Sequence, residues 1–254
     1  MPLKNRKAIV TGGSQGIGKG IALALAQAGA DVVIQYRSAE DKALATINEI
    51  KQLGRMAFAI QADFTQDDSS EKFIELALEK LDTADILVNC AAAYERGNLL
   101  DISAETFAWM QKVNVEVPLR LIQTFSRHLI SKKMSGSIVN ISSISGLSPS
   151  IGSCLNSCSK AGLNMLTRCA ALELASHQIR VNGIAPGMTE TESNESFMTQ
   201  DPEGWNNAIK KIPLSRAGKP HDIGELAVFF ASNAASWLTG VTIPVDGGMT
   251  ISWQ

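Results

Sequence analysis

The sequence predicts an α/β fold, a parallel β-sheet with helices packed on both of its faces. Three observations carry that reading. Short apolar runs recur along the chain, longer segments of helical periodicity separate them, and a glycine-rich turn links the first run to the first helical segment. Strands that alternate with helices in this way assemble into a parallel sheet.

Taken in order, the runs are "KAIVT" (7–11), "DVVIQ" (31–35), "MAFAI" (56–60), "DILVN" (85–89), "SIVNIS" (137–142), "RVNGIA" (180–185) and "VTIPV" (241–245). Each reads as a strand buried on both faces, since none has the apolar–polar alternation of a half-exposed strand. The helix that begins near Ser103 opens on a Ser/Asp-rich cap region and ends in Lys132 and Lys133 before Gly136, which puts cations at its negative end. Pro118 is expected to bend it. After Gly187 the stretch "MTETESNESFMTQDPEGW" reads as neither strand nor long helix. Lying just past a strand's carboxyl end, it is either a loop that closes over a ligand or a solvated connection. No repeat, linker or low-complexity tract divides the chain, so residues 1–254 are expected to form one dinucleotide-binding domain.

Composition narrows the function. Hydrophobic residues at 45% with charged residues at 19% indicate an ordinary folded core. A net charge of −2 argues against a surface built to grip nucleic acid or anionic lipid, so small molecules are the expected partners. Cys90, Cys154, Cys158 and Cys169 have neither zinc-site spacing nor the density of a disulfide scaffold, and they read as free thiols in a reducing cytoplasm. The start, "MPLKNRKAIVTGG", has only a three-residue apolar run, far short of a secretory signal. Nor does any apolar segment approach the ~18 residues of a membrane span.

The turn "TGGSQGIG" (11–18) carries Gly12, Gly16 and Gly18. Glycines there let the backbone turn tightly, let a pyrophosphate approach, and let the helix pack closely on the sheet, while free amides at the helix start meet the phosphates. Gly12, Ser14, Gln15, Gly16, Ile17 and Gly18 are therefore candidates for phosphate contact. The Gly-x3-Gly-x-Gly spacing differs from the common GxGxxG fingerprint, and a helix that merely starts after a glycine turn is the alternative.

With these residues in hand, the chain resembles the short-chain dehydrogenase/reductase family over essentially its whole length. The resemblance rests on "TGGSQGIG", "ADF" (62–64), "ILVNCAA" (86–92), "KVNV" (112–115), "IVNISSISG" (138–146), "SKAG" (159–162), "VNGIAPG" (181–187) and "WLTGVTIPVDGG" (237–248). The members most like it are tetrameric ketone reductases of the glucose-dehydrogenase-like and ketoacyl-reductase-like kinds. The resemblance implies a doubly wound Rossmann-type sheet of order 3-2-1-4-5-6-7, a nicotinamide dinucleotide across the strands' carboxyl ends, a small carbonyl or alcohol substrate, and a homotetramer. The apolar helix around 155–175 agrees with the last, since its hydrophobic residues exceed one face. It further implies that Asp63 and Phe64 border the adenine, that Asn89, Ala91 and Ala92 support the ribose region, and that Pro186, Gly187 and Thr189 border the nicotinamide with Thr191 near the phosphates. The family's Asn-Asn-Ala-Gly reads Asn-Cys-Ala-Ala here, so Cys90 and Ala92 depart from it.

Coenzyme choice follows from the end of the second strand. NAD recognition calls for a carboxylate there, which would repel a 2′-phosphate. The chain instead has Tyr36, Arg37 and Ser38, and a guanidinium matches a phosphate in charge and shape. NADP is the expected cofactor and NAD the alternative. The competing reading pairs Arg37 with Glu40 or Asp41 on the helix surface.

In the resembling enzymes an Asn, a Ser, a Tyr and a Lys carry proton transfer. Asn114, Ser143 and Lys160 match, but the tyrosine position is Asn156. A carboxamide neither donates a proton readily nor carries the resulting charge, so of the lysine's two duties, holding the ribose and lowering the phenol pKa from ~10, only the first survives. General acid catalysis is worth about 10²–10⁴-fold, so its loss impairs turnover without preventing coenzyme binding. Relatives acting on enoyl groups place a Tyr seven residues before the Lys, where this chain has Ser153. Tyr94 is either a substitute donor or an aromatic on the pocket rim. The histidines at 128, 177 and 221 read as surface or capping residues.

Two functions follow. One is an NADP-dependent oxidoreductase in which Ser143 polarises the substrate oxygen, Lys160 holds the ribose and Asn114 supports a water relay. The other is a nucleotide-binding member of the same fold without redox turnover.

Overall fold

A computed structural model describes residues 1–252, with the side chain of Ser196 left aside. Seven strands form one parallel sheet: β1 (Lys7–Val10), β2 (Asp31–Tyr36), β3 (Ala57–Gln61), β4 (Ile86–Asn89), β5 (Gly136–Ile141), β6 (Ile179–Pro186) and β7 (Thr242–Val245). Their spatial order is β3-β2-β1-β4-β5-β6-β7, so the direction of winding reverses beside β1. A crevice opens at the carboxyl ends where the chain leaves in opposite directions, which is where ligands bind in open parallel sheets.

Successive side chains of each strand enter different cores. Ala8 and Val10 of β1, Val32 and Ile34 of β2, and Ile86 and Val88 of β4 pack with α1 (Gly16–Gln27), α2 (Glu40–Gln52) and α9 (Pro220–Ala231). The intervening Ile9, Val33 and Leu87 pack on the opposite face with α3 (Ser69–Leu81), α5 (Val117–Ser131) and α6 (Cys154–Leu174). Two apolar faces are why these runs do not alternate in polarity. Phe125, fully buried on the α5 face, contributes roughly 3–5 kcal/mol by the cost of truncating such a side chain.

Two expectations need correction. The edge strands β3 and β7 are only partly buried, because an edge strand has a neighbour on one side alone. The polar stretch after Gly187 is not a plain loop: it folds into α7 (Glu195–Gln200) and α8 (Pro202–Lys210), with Phe197 and Trp205 edge to face at 5.6 Å. Asp201 caps α8 by accepting the Gly204 amide at 2.9 Å, and Pro202 fits its first turn.

Ser103 caps α4 (Ala104–Gln111) as its position implies, accepting the Thr106 amide at 3.1 Å. The helix then passes through a π-helical turn at 112–116 before α5, so Pro118 lies in the first turn of α5. Wider winding relieves the proline ring there. Pro118 also lacks the N–H that an α-helix would direct at the Asn114 carbonyl.

Candidate active site

The glycine turn is held from several sides. Thr11 Oγ1 accepts the amides of Cys90 and Ala91 at 2.9 and 3.0 Å, tying the end of β1 to the end of β4. Gln35 accepts the Gly12 amide at 2.8 Å and donates to the Ala62 carbonyl at 2.6 Å, linking β1, β2 and β3. A Cβ on Gly18 would lie 2.1 Å from the Gly12 carbonyl oxygen, so α1 can start this close to the turn only with glycine there. Gly16 has φ +55°, and Gln15, at the cap position, makes no side-chain bond to the first turn of α1. The positive end of that helix is left for an anion.

From this turn a cleft of about 700 Å³ runs along the carboxyl ends of the sheet to the start of α6. Its lining brings together Gly12, Ser14, Gln15, Gly16, Ile17 and Gly18 with Tyr36, Arg37, Ser38, Asp63, Phe64, Ala91 and Ala92. Ser143, Asn156, Lys160, Pro186, Gly187, Thr189 and Thr191 line the same cleft. Two predicted residues lie behind this wall. Asn89 is buried and donates to Asn140 at 2.8 Å across β4 and β5. Asn114 is buried in the π-helical turn, accepting the Ala93 amide at 2.8 Å and donating to the Ala93 carbonyl and Ser159 Oγ at 2.9 and 3.0 Å.

At the end of the cleft beside β2 Arg37 is exposed and, among the described residues, makes no ion pair, so it is not spent on Glu40 or Asp41. Asp63 accepts the amide and hydroxyl of Thr65 at 2.9 and 2.8 Å; the Thr65 amide, chiefly, holds its carboxyl below the usual range.

At the other end Lys160 Nζ donates to the Ile141 carbonyl at 2.9 Å. Burial drives its pKa down from 10.5 to about 8. Burial also pushes the neighbouring Cys90 thiol up to about 12, so at neutral pH Cys90 is uncharged and gives Lys160 no counter-ion. Asn156 lies one turn before Lys160 on α6 and is buried. Ser143, just past β5, accepts the Ser145 amide at 3.1 Å. No histidine is on the lining; His128 contacts Thr83 at 3.0 Å in α5. Among the described residues no group of His, Cys, Asp or Glu could hold a metal ion, the four cysteines are free, and no helix is long and apolar enough to cross a membrane.

Other lining residues were not singled out in the sequence, among them Gln35, Thr65, Arg96, Trp109, Phe197 and Trp205. Gln35 did leave a signal, a polar side chain inside an apolar strand. Arg96 and Trp109 left none, since nothing in their local pattern separates them from ordinary loop and helix positions.

A doubly wound parallel sheet with an uncapped, glycine-started helix at its reversal point defines a dinucleotide-binding α/β protein. Residues 12–250 match the family described as Enoyl-(Acyl carrier protein) reductase. The chain is 35% identical to the 3-oxoacyl-[acyl-carrier-protein] reductase of Staphylococcus epidermidis, over 96% of this chain and 99% of that protein. It is 34% identical to glucose 1-dehydrogenase 2 of Bacillus subtilis, over 98% and 96%. The crystal structure of 3-oxoacyl (acyl-carrier-protein) reductase from Agrobacterium tumefaciens with NADP bound superposes with a TM-score of 0.91 at 32% identity, covering 96% of this chain and 94% of that one. The chain belongs to the short-chain dehydrogenase/reductase family of oxidoreductases.

Proposed function

We propose that the protein is an NADP(H)-dependent oxidoreductase that interconverts a carbonyl and an alcohol on a small molecule, NAD being the lesser coenzyme. The observation that carries this reading is the continuity of one cleft from the exposed Arg37, past the start of α1, to Ser143 and Lys160. A dinucleotide phosphate suits the free amides at the start of α1, where Gly16 has no side chain and an added Cβ would lie 3.6 Å from both Thr191 and the carboxylate of Glu192, an exposed side chain that must turn aside for an anion. Arg37 suits a 2′-phosphate. A nicotinamide, when bound, supplies or accepts the hydride.

The protein's own task is the proton. Ser143 polarises the substrate oxygen, and Lys160, held against the Ile141 carbonyl, grips the ribose and stores a proton at a pKa of about 8. Asn114 steadies a water relay from the π-helical turn, where Pro118 denies its carbonyl the usual amide donor. Asn156 stands where the family's phenol would be, so turnover is slow relative to an enzyme with that acid. Tyr94 is 61% exposed on the cleft lining and acts as a rim aromatic. The amide at Asn156 also favours a second reading, a coenzyme-binding protein without redox turnover.

We further propose a single cytoplasmic domain that assembles as a homotetramer; exposed Met165 and Leu172 on α6 offer apolar surface for such contacts. The deciding experiment is a calorimetric titration with NADPH and NADH, followed by absorbance at the reduced-nicotinamide band with a panel of ketones and alcohols. NADPH binding with oxidation by some ketone supports the first reading. Tight binding with silence across the panel supports the second, and no coenzyme binding removes both.

A further inference from the structure

The α6 end of the cleft carries a cation that the chemistry above does not use. Arg96 lines the cleft beyond Ser143 and Asn156, in the segment that follows β4. Its Nη2 donates to the Ile151 carbonyl at 2.9 Å, and the adjacent Gly97 amide donates to the Gly152 carbonyl at 3.2 Å. The guanidinium lies against Gly152, where an added Cβ would meet its Nε at 3.7 Å. Two loops are thereby strapped together across the mouth, and the arginine is held there before any ligand arrives. One of its five N–H donors is used by the strap, and among the described residues no carboxylate pairs with it.

The surroundings sharpen the point. Asp63, beside Arg37 at the adenosine end, is the sole carboxylate on the described lining. The α6 end therefore holds two cations, Arg96 and Lys160, and no acid. Lys160 is engaged with Ile141, and its ribose duty leaves Arg96 as the free charge. Tyr94, Trp109, Phe197 and Trp205 supply apolar walls for a short carbon skeleton.

We infer that Arg96 selects an acidic substrate, a hydroxy or oxo compound bearing a carboxylate that the guanidinium holds while the carbonyl or alcohol carbon faces Ser143. A planar guanidinium matches one carboxylate through two parallel hydrogen bonds, a fit that a neutral ketone or sugar cannot use. The inference takes Ser143 and Lys160 as the reacting centre, as proposed above.

The test compares levulinate with its methyl ester, and gluconate with glucose, as ligands of the wild-type, Arg96→Ala and Arg96→Lys proteins. Binding is read by calorimetry with and without NADP(H), so the result does not depend on turnover or on coenzyme. Wild type is expected to prefer at least one acid over its neutral partner by about 10–100-fold, the range for a hydrogen bond to a charged group. Arg96→Ala is expected to erase that ratio and Arg96→Lys to restore part of it. Equal binding of acid and neutral partner by wild type overturns the inference, as does a ratio that survives Arg96→Ala; an equal loss for both ligands marks Arg96 as only a strap. Failure of wild type to bind either coenzyme instead overturns the oxidoreductase reading and leaves the acid preference to stand or fall on its own ratio.

Discussion

The two ends of the cleft are built by different means. At the glycine turn the wall is backbone: helix amides, the Gly12–Gly18 contact, and a strand junction tied by Thr11 and Gln35. At the start of α6 the wall is side chains: Ser143, Asn156 and Lys160, with Arg96 and the aromatics on loops around them. A backbone wall binds whatever has the right charge and shape, and it fails only when a Cβ intrudes. A side-chain wall changes its chemistry with a single residue, and on the function proposed above Asn156 is that residue.

The comparison can be broken most forcefully at Asn156. Asn156→Tyr is expected to raise kcat on a reducible carbonyl by about 10²–10⁴-fold, the span of general acid catalysis, in steady-state assays with NADPH. Unchanged turnover would mean that the α6 end does not lack an acid. The backbone end is tested by Gly18→Ala, whose Cβ would sit 2.1 Å from the Gly12 oxygen. Overpacking of this kind costs about 1–3 kcal/mol, to be seen as a lower thermal midpoint together with weaker coenzyme binding. A wild-type midpoint would show that the turn yields more easily than its packing implies.

Arg37 sharpens the comparison, because it is a side chain at the backbone end. Arg37→Ala is expected to weaken NADPH binding by about 10–100-fold and to spare NADH, measured by competing calorimetric titrations. Equal loss for both coenzymes would detach Arg37 from the 2′-phosphate.

The smallest effect is in the pH dependence of Lys160. Its folded pKa of about 8 lies below the ordinary 10.5, so the unfolded chain binds more protons between those values. Stability from this group therefore rises with pH across that window and is least below it, where a buried charge must be kept. The ribose hydroxyls that Lys160 is proposed to hold accept from its protonated amine, so NADPH affinity runs the other way and falls as pH passes about 8. Thermal midpoints of wild type relative to Lys160→Met, with and without NADPH, separate the two trends. Parallel curves would place the titration elsewhere.

Much of this was legible in the chain. Every apolar run became a strand within a residue or two of its expected limits, because a sheet covered by helices on both faces calls for unbroken apolar sequence in its central strands and largely apolar sequence at its edges. The glycine turn was legible for a similar reason, since few residues but glycine tolerate such approach and torsion. The 188–210 segment was less so. Its polar composition hid two short helices whose aromatic residues, Phe197 and Trp205, meet each other and the cleft. Asn114 was visible as a motif residue, yet its bonds to Ala93 and Ser159 depend on a π-helical turn that periodicity does not register.

By itself the sequence determined the alternation of strands and helices, the glycine turn between β1 and α1, the basic residue after β2 and the amide side chain at 156, since each is a matter of residue type at a local position. Only the tertiary structure decided that Arg37 makes no ion pair among the described residues, that Asn89 and Asn114 lie behind the wall, and that Arg96 is strapped to the 150–152 loop at the mouth of the cleft. Those outcomes depend on which distant segments meet, and a chain specifies such meetings through the packing of the whole sheet rather than through any short stretch.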